Sequence, residues 1–407
     1  RDAGFAQTLV SELRLSSASD GPIRWIAGLF YFEREFVRNQ RAIGFFGRVG
    51  GEQDIEESGW APFLNVTWSP IDDFELFGGV RWNRDTFERS EFAGAIPGIR
   101  PEATLDGRKE RFRETTREVG FRWFFAEGHM LYAKFAKGYK AGFVEIDQNG
   151  AFGPAGSANV ISPEILDAWE VGVKTSWLDE TLQVNVSGYF YGYDDLQVPI
   201  PLGLQALTLN AADATIKGAE LEVNYQPLPN WNTRLAVSYI DATFGAFCSP
   251  DPFQFTPGDD PGCERDPTNP AIPPPNGVDG SLDLSGNRLE DTPEWQVSLV
   301  SRFTYPLGEW GALTSVLSFR WVDDYFARPF NVGLVDGIDS YTQTDIRFIW
   351  RSPEGRYTVE IFGSHLEDES IYGRRIVAPE FVANPSLIGL YAPRRFGIRI
   401  GFEWGGQ

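Results

Sequence analysis

The sequence predicts an all-β chain folded as a transmembrane antiparallel up-and-down β-barrel. Three observations carry that reading. Apolar and polar residues alternate with a period of two through about fifteen segments. The connections between them alternate short and long, and Trp and Tyr gather at the segment ends.

Composition agrees. Among 407 residues there are 32 Phe, 14 Tyr, 13 Trp and 43 Gly, against one Met and two His, which suits strands and turns. A chain this long exceeds one ordinary globular core, and closed β-architectures are the usual exception. The net charge of −21, with no basic stripe visible along the chain, argues against nucleic acid as a partner. The excess acid reads as solvated loops. No run approaches about 18 apolar residues, so no helical membrane span is expected, but a membrane strand needs only about ten alternating residues. No signal peptide opens the chain: a strand pattern begins almost at once after Arg1, so the sequence reads as a fragment.

In chain order, strands are expected near 7–17, 23–36, 60–69, 74–87, 110–124, 130–139, 165–177, 181–195 and 206–226. They continue near 231–244, 293–305, 311–323, 341–351, 356–366 and 394–404. The last is the clearest, with Phe396, Ile398, Ile400 and Phe402 on one face and Gly397, Arg399 and Gly401 on the other. Most run to ten residues or more, the length a tilted membrane strand requires. Short turns such as Pro70–Asp73, Ala126–Gly128 and Pro353–Gly355 alternate with long segments at 37–59, 88–109, 140–164, 245–292, 325–340 and 367–393. That asymmetry puts the short turns at the periplasm and the long loops outside. Trp25, Trp60, Trp82, Trp123, Trp177, Trp231 and Trp350 mark the expected aromatic girdles. The opposite face carries charges such as Glu12, Arg14, Glu170, Lys174, Asp345 and Arg347, which a wet lumen keeps solvated.

The cysteines are Cys248 and Cys263, together in one Pro/Asp/Gly-rich segment with no His beside them. This reads as a disulfide in an oxidising compartment, with two unpaired thiols as the alternative.

Several segments resemble the barrel of TonB-dependent outer-membrane receptors. They are ELRLSS followed by IRWIAGLFYFERE, YAKFAKGYKAGF (132–143), SPEILDAWEVGVKTSWLDETLQVNVSGYFYGYDDLQV (162–198), NAADATIKGAELEV (210–223), YIDATF (239–244), GNRLEDTPEW (286–295) and YAPRRFGIRIGFEW (391–404). No single motif is highly specific; their order is. The resemblance implies a barrel of about 22 strands around an N-terminal plug. Residues 1–407 would then be its C-terminal portion, without the plug, the TonB-binding box and about seven strands. Strand parity agrees, since the first strand here runs inward, as an eighth strand would. The family usually stops at an aromatic, whereas Gly405, Gly406 and Gln407 follow Trp404.

The resemblance further implies active uptake of a scarce nutrient, most simply a ferric siderophore, driven by TonB. The expected surroundings are outer-membrane lipid and lipopolysaccharide, with no cofactor and no resident metal. Loop residues that suit a planar anionic chelate are Phe45, Phe46 and Arg48, then Tyr139, Lys140 and Phe143, then Tyr325, Phe326 and Arg328. Each could instead pack on neighbouring loop. The acids Asp251, Asp259, Asp260, Asp283 and Asp291 match no EF-hand spacing. No enzyme is expected: His129 and His365 belong to no nucleophile motif, and the adjacent Asp194 and Asp195 point to opposite faces of a strand. A passive porin would share the alternation, girdles and loop asymmetry but not the ordered motifs. A carbohydrate-binding propeller or sandwich would show an internal repeat, and none is visible.

Overall fold

The structure, a computed structural model, describes residues 3–18, 21–44, 47–94, 102–147, 156–202, 205–210, 213–251, 281–377 and 386–404. The chain opens with β1 (Ala3–Ser16), β2 (Ile23–Gly44), β3 (Gly47–Ile71), β4 (Phe74–Ala93), β5 (Ala103–Ala126) and β6 (His129–Lys140). It leaves the wall for the hairpin of β7 (Phe143–Asp147) and β8 (Ser157–Ile161), and returns as β9 (Glu164–Trp177) and β10 (Leu182–Asp194). A second hairpin, β11 (Gln197–Leu202) and β12 (Gln205–Asn210), precedes β13 (Ala214–Leu228) and β14 (Trp231–Phe244). The short pair β15 (Cys248–Pro250) and β16 (Ser281–Asp283) precedes β17 (Trp295–Pro306) and β18 (Ala312–Val322). Then β19 (Tyr325–Phe326), the helical turn α1 (Gly333–Asp336) and β20 (Gly337–Ile338) lead to β21 (Tyr341–Arg351) and β22 (Tyr357–Ser364). A last hairpin, β23 (Tyr372–Val377) and β24 (Ser386–Leu390), comes before β25 (Arg395–Phe402).

Fifteen of these strands form one antiparallel sheet in simple chain order, from β1 to β25 with the five two-stranded loop pairs left out. This is the expected up-and-down wall. Among the described residues β1 pairs only with β2 and β25 only with β22, so the sheet has two open edges.

Register decides what each face carries, because directly opposed residues point the same way. Val171 lies opposite Ala133 and Gly188, and Gly188 opposite Ala219, so Trp169, Val171 and Phe190 share one surface. On that surface Phe396, Ile398 and Ile400 are 73%, 69% and 76% exposed. A soluble sheet would bury such residues; a lipid-facing one need not. The opposite surface, called the lumen face below, carries Glu170, Tyr189, Tyr191, Glu220 and Glu222. Charges there avoid the roughly 2–4 kcal/mol that a cation costs on the lipid face at the membrane midplane. Lumenal aromatics fit into glycine gaps: a Cβ on Gly172 would lie 2.7 Å from the Tyr132 ring.

The tight turns fall where the sequence places them. The β5–β6 turn uses Gly128 at φ 72° and the β21–β22 turn Gly355 at φ 70°, left-handed values that glycine adopts without strain.

Two expectations change. Segments 37–59 and 88–109, read as loops, are strand at nearly all of their described residues, because β2 to β5 continue far beyond the lipid band. Up there neither face meets lipid, so one-sided alternation fades while the hydrogen-bond ladder persists. Residues 206–226, read as one strand, divide into β12 and β13. Asn210 closes the loop hairpin by donating its side-chain amide to the carbonyls of Ser162 and Asp195, before the wall strand begins at Ala214.

Candidate functional site

The wall supplies a lumen surface and the long loops supply a roof. On the wall, the Tyr132 hydroxyl donates to Glu170 at 2.5 Å, and Lys134 reaches the same carboxylate at 2.8 Å. Tyr189 and Tyr191 stack beside them with ring centroids 4.8 Å apart. Nearer the short-turn rim, Glu75 bridges Arg24 and Arg122. Toward the last strand, Arg399 pairs with Glu360 at 2.6 Å. A lumenal recess of about 550 Å³ lies between Glu12, Arg14, Phe63, Asn65, Arg81 and Glu118. Paired charges hold these side chains in place without an apolar core.

The roof is built from three small cores and the polar bonds between them. The β7–β8 hairpin buries Val144 and Ile146 against Phe87, Leu105 and Phe112, the inward residues of β4 and β5. Arg89 donates to the Val144 carbonyl at 3.0 Å. The hairpins β7–β8 and β11–β12 are then tied together. Glu145 accepts from the backbone N–H and hydroxyl of Thr208, and Gln197 donates to the carbonyls of Ala141 and Ser162. Val198 joins Phe244, Phe247, Leu284 and Phe330 in the second core. Between the loops after β14 and β18, Arg328 is held by Asp336 at 2.5 Å and Asp251 at 2.9 Å, all three buried. The third core, Val322, Tyr341 and Ile371, reaches the loop after β22.

The roof also tunes its own ionisable groups. Burial pushes the Glu290 carboxyl up from its ordinary value, with the neighbouring charge of Asp291 adding to the effect. Hydrogen bonds from Ser285 hold Asp283 down. Burial pushes the Tyr325 hydroxyl up to about 12, so it remains a neutral phenol at physiological pH.

The expected ligand residues divide between these surroundings. Phe45 and Phe46 lie outside the described residues; Arg48 sits on β3 with its backbone opposite Ile43. Tyr139 is half-buried with its hydroxyl beside Asp85, and Phe143 packs on Phe87. Lys140 is exposed and pairs with Glu164 at 3.5 Å. Tyr325 packs against the third core, and Phe326 lies under the Arg288 guanidinium. Arg328 faces two carboxylates in the loop interior rather than open solvent. Cys248 is buried and disulfide-bonded, and Cys263 lies outside the described residues. Sequence reasoning missed Glu145, Gln197 and Thr208, because single polar residues in loops carry no spacing signal. The lumenal tyrosines were visible only as the polar half of the alternation.

Comparison with known proteins follows the same lines. Residues 5–363 match the model of the family described as TonB dependent receptor-like, beta-barrel. The pesticin receptor of Yersinia enterocolitica is 26% identical over 196 residues, covering 45% of this chain and 26% of that receptor. The ferric yersiniabactin uptake receptor FyuA from Yersinia pestis superposes with TM-score 0.75 at 17% identity, over 98% of this chain and 54% of that one. The siderophore receptor PiuA from Acinetobacter baumannii gives 0.70 at 16% identity, over 98% and 56%. The copper transporter OprC gives 0.68 at 15% identity, over 98% and 57%. This chain thus spans little more than half the length of those solved relatives.

Proposed function

The chain belongs to the TonB-dependent receptor-like β-barrel family of outer-membrane proteins, and on that premise we propose that it forms the barrel of an active uptake receptor for a ferric siderophore, energised by TonB. The observation that carries the proposal is a wall with a lipid-facing outside, an ion-paired lumen and interlocked outer loops. Such a roof and lumen suit capture of one large, scarce solute better than free diffusion of many small ones.

We assign residues 1–407 to the C-terminal portion of a barrel of about 22 strands, completed by preceding strands and a plug that carries the TonB-binding box. Two features support this reading: the open edges at β1 and β25, and the 54% share of FyuA that the chain covers. Unpaired strand edges cannot face lipid, which favours a barrel completed by further strands. The ligand would enter over the roof, meeting first the exposed Lys140 beside Tyr139 and Phe143, with Arg48 at the upper end of β3 and Tyr325 and Phe326 in the loop after β18. A cation beside aromatic rings suits an anionic chelate. Cys248 with Cys263 would staple the loop after β14. No covalent chemistry is asked of the barrel, which is a transport receptor and not an enzyme.

Ligand choice is tested by fluorescence quenching of the purified full-length receptor against ferric hydroxamate, catecholate and carboxylate chelates, a copper complex and cobalamin. Saturable binding of one ferric chelate class supports the proposal. Saturation by copper or cobalamin alone would replace the cargo.

A further inference from the structure

The lumen face is built differently on its two sides. On β3, β4, β6 and β10 its residues include Phe63, Phe77, Tyr132, Tyr189 and Tyr191, all half-buried. Register lays these rings over glycines: Phe77 is opposite Gly120, Tyr132 opposite Gly172 and Tyr189 opposite Gly218. A Cβ on any of those glycines would strike the ring beside it. The rings therefore lie down against the wall and present a smooth, largely apolar surface. Charges among them are paired, Glu170 with Lys134 and Glu75 with Arg122.

From β13 to β18 the same face changes character. Glu220, Ser238 and Gln296 stand directly opposed in one row, and Glu222, Ala236, Ser298 and Arg320 in the next. Neither row carries a ring, and the small side chains leave little standing out from the wall. Glu220, Glu222, Ala236, Ser298 and Arg320 are exposed. Among the described residues neither Glu220 nor Glu222 enters an ion pair, and Arg320 makes only a long bond of 3.4 Å to Gln296. Two recesses result, of about 580 Å³ and 250 Å³. Both are lined by Glu222, Ala236 and Ser298, so they join into one groove. It begins at Glu220 and Arg320 and ends at Glu180 and Gln226, beside the short turns of the periplasmic rim.

That contrast bears on where a folded segment can rest inside the barrel. Covering the rings removes apolar surface from water and stabilises the contact. Covering Glu220 and Glu222 would strip water from charges that the wall leaves without a partner.

We propose that the cargo crosses the barrel along the β13–β18 wall, down the groove from Arg320 to Gln226, while the lumen-filling plug stays seated on the rings of β3 to β10. The inference rests on the uptake reading. The groove fits a hydrated chelate rich in carboxylate, carbonyl or hydroxyl oxygens, to which Arg320, Arg234 and Asn224 can donate. A flat aromatic chelate finds no ring there to stack on.

The test uses the complete receptor in porin-free cells growing on limiting iron, with a charged, membrane-impermeant maleimide added outside. S298C and A236C each place a thiol in the groove. A168C and A136C, directly opposed on β9 and β6, place one on the ring side beside Tyr191. The unsubstituted receptor gives the background, and S238C serves where a groove variant does not fold. S298C and A236C should label at least tenfold faster with TonB than in a TonB-deleted strain, while A168C and A136C stay at background in both. TonB-dependent labelling that is equal on the two sides, or confined to the ring side, overturns the route and leaves the uptake reading standing. Groove labelling that is fast without TonB overturns the uptake reading and the route with it. No labelling at any position overturns the route.

Discussion

Glu145 on β7 accepts two hydrogen bonds from Thr208 on β12, one from the backbone N–H at 2.7 Å and one from the hydroxyl at 3.0 Å, across 63 residues of chain. The bond joins two loop hairpins that share no sheet. With Gln197 spanning the same gap, successive outer loops become one body rather than independent flaps.

That coupling predicts the effect of E145Q. The substitution keeps the shape but removes the charge and leaves one acceptor oxygen where there were two, costing about 1–3 kcal/mol of local stability. Hydrogen exchange should quicken in β7 and β8 and in β11 and β12, with the wall strands unchanged. Faster exchange in 143–147 alone would mean that the hairpins open separately.

Arg328 should behave as a lock between loops. Breaking a buried ion pair by removing one partner costs roughly 3–5 kcal/mol, because the acids left behind lose their counter-charge. R328A should therefore raise exchange at both 248–251 and 325–338. If R328A weakened ligand binding while leaving exchange in these segments unchanged, Arg328 would be a ligand contact instead.

The roof should respond to pH through Glu290, whose carboxyl is pushed up by burial. A carboxyl with a raised value in the folded state favours folding while protonated. Its contribution is fully present below the ordinary glutamate value and fades as pH rises through the raised one. Protection of the segment around 284–292 should fall over that range in the wild type and stay flat in E290Q. Equal slopes in the two proteins would remove Glu290 as the cause.

The proposed staple is checked by peptide mapping without reductant after export. A single linked peptide containing Cys248 and Cys263 is expected, and two alkylated thiols would exclude it.

What was legible in the sequence is what lipid imposes. Phe396, Ile398 and Ile400 alternate with Gly397 and Arg399 because one face meets hydrocarbon, so that strand could be read almost to the residue. Above the membrane the rule lapses. Glu52, Asp54 and Glu56 lie on β3 beside Gln53 and Ile55, with no apolar side to betray a strand. Loop aromatics and cations could be seen but not their partners. Phe143 and Arg328 look alike as binding candidates until packing sets one on Phe87 and the other between Asp251 and Asp336. Arg111 and Arg113 show the reverse: they stand among glutamates in sequence, and only the β4–β5 register sends the two charges to opposite faces.

The most direct test of the central claim is uptake of a radio-iron chelate by cells expressing the complete receptor, with TonB present or deleted. Active transport predicts saturable accumulation above the outside concentration that disappears without TonB. Equal, non-saturating entry in both strains would make the barrel a passive channel and contradict the account.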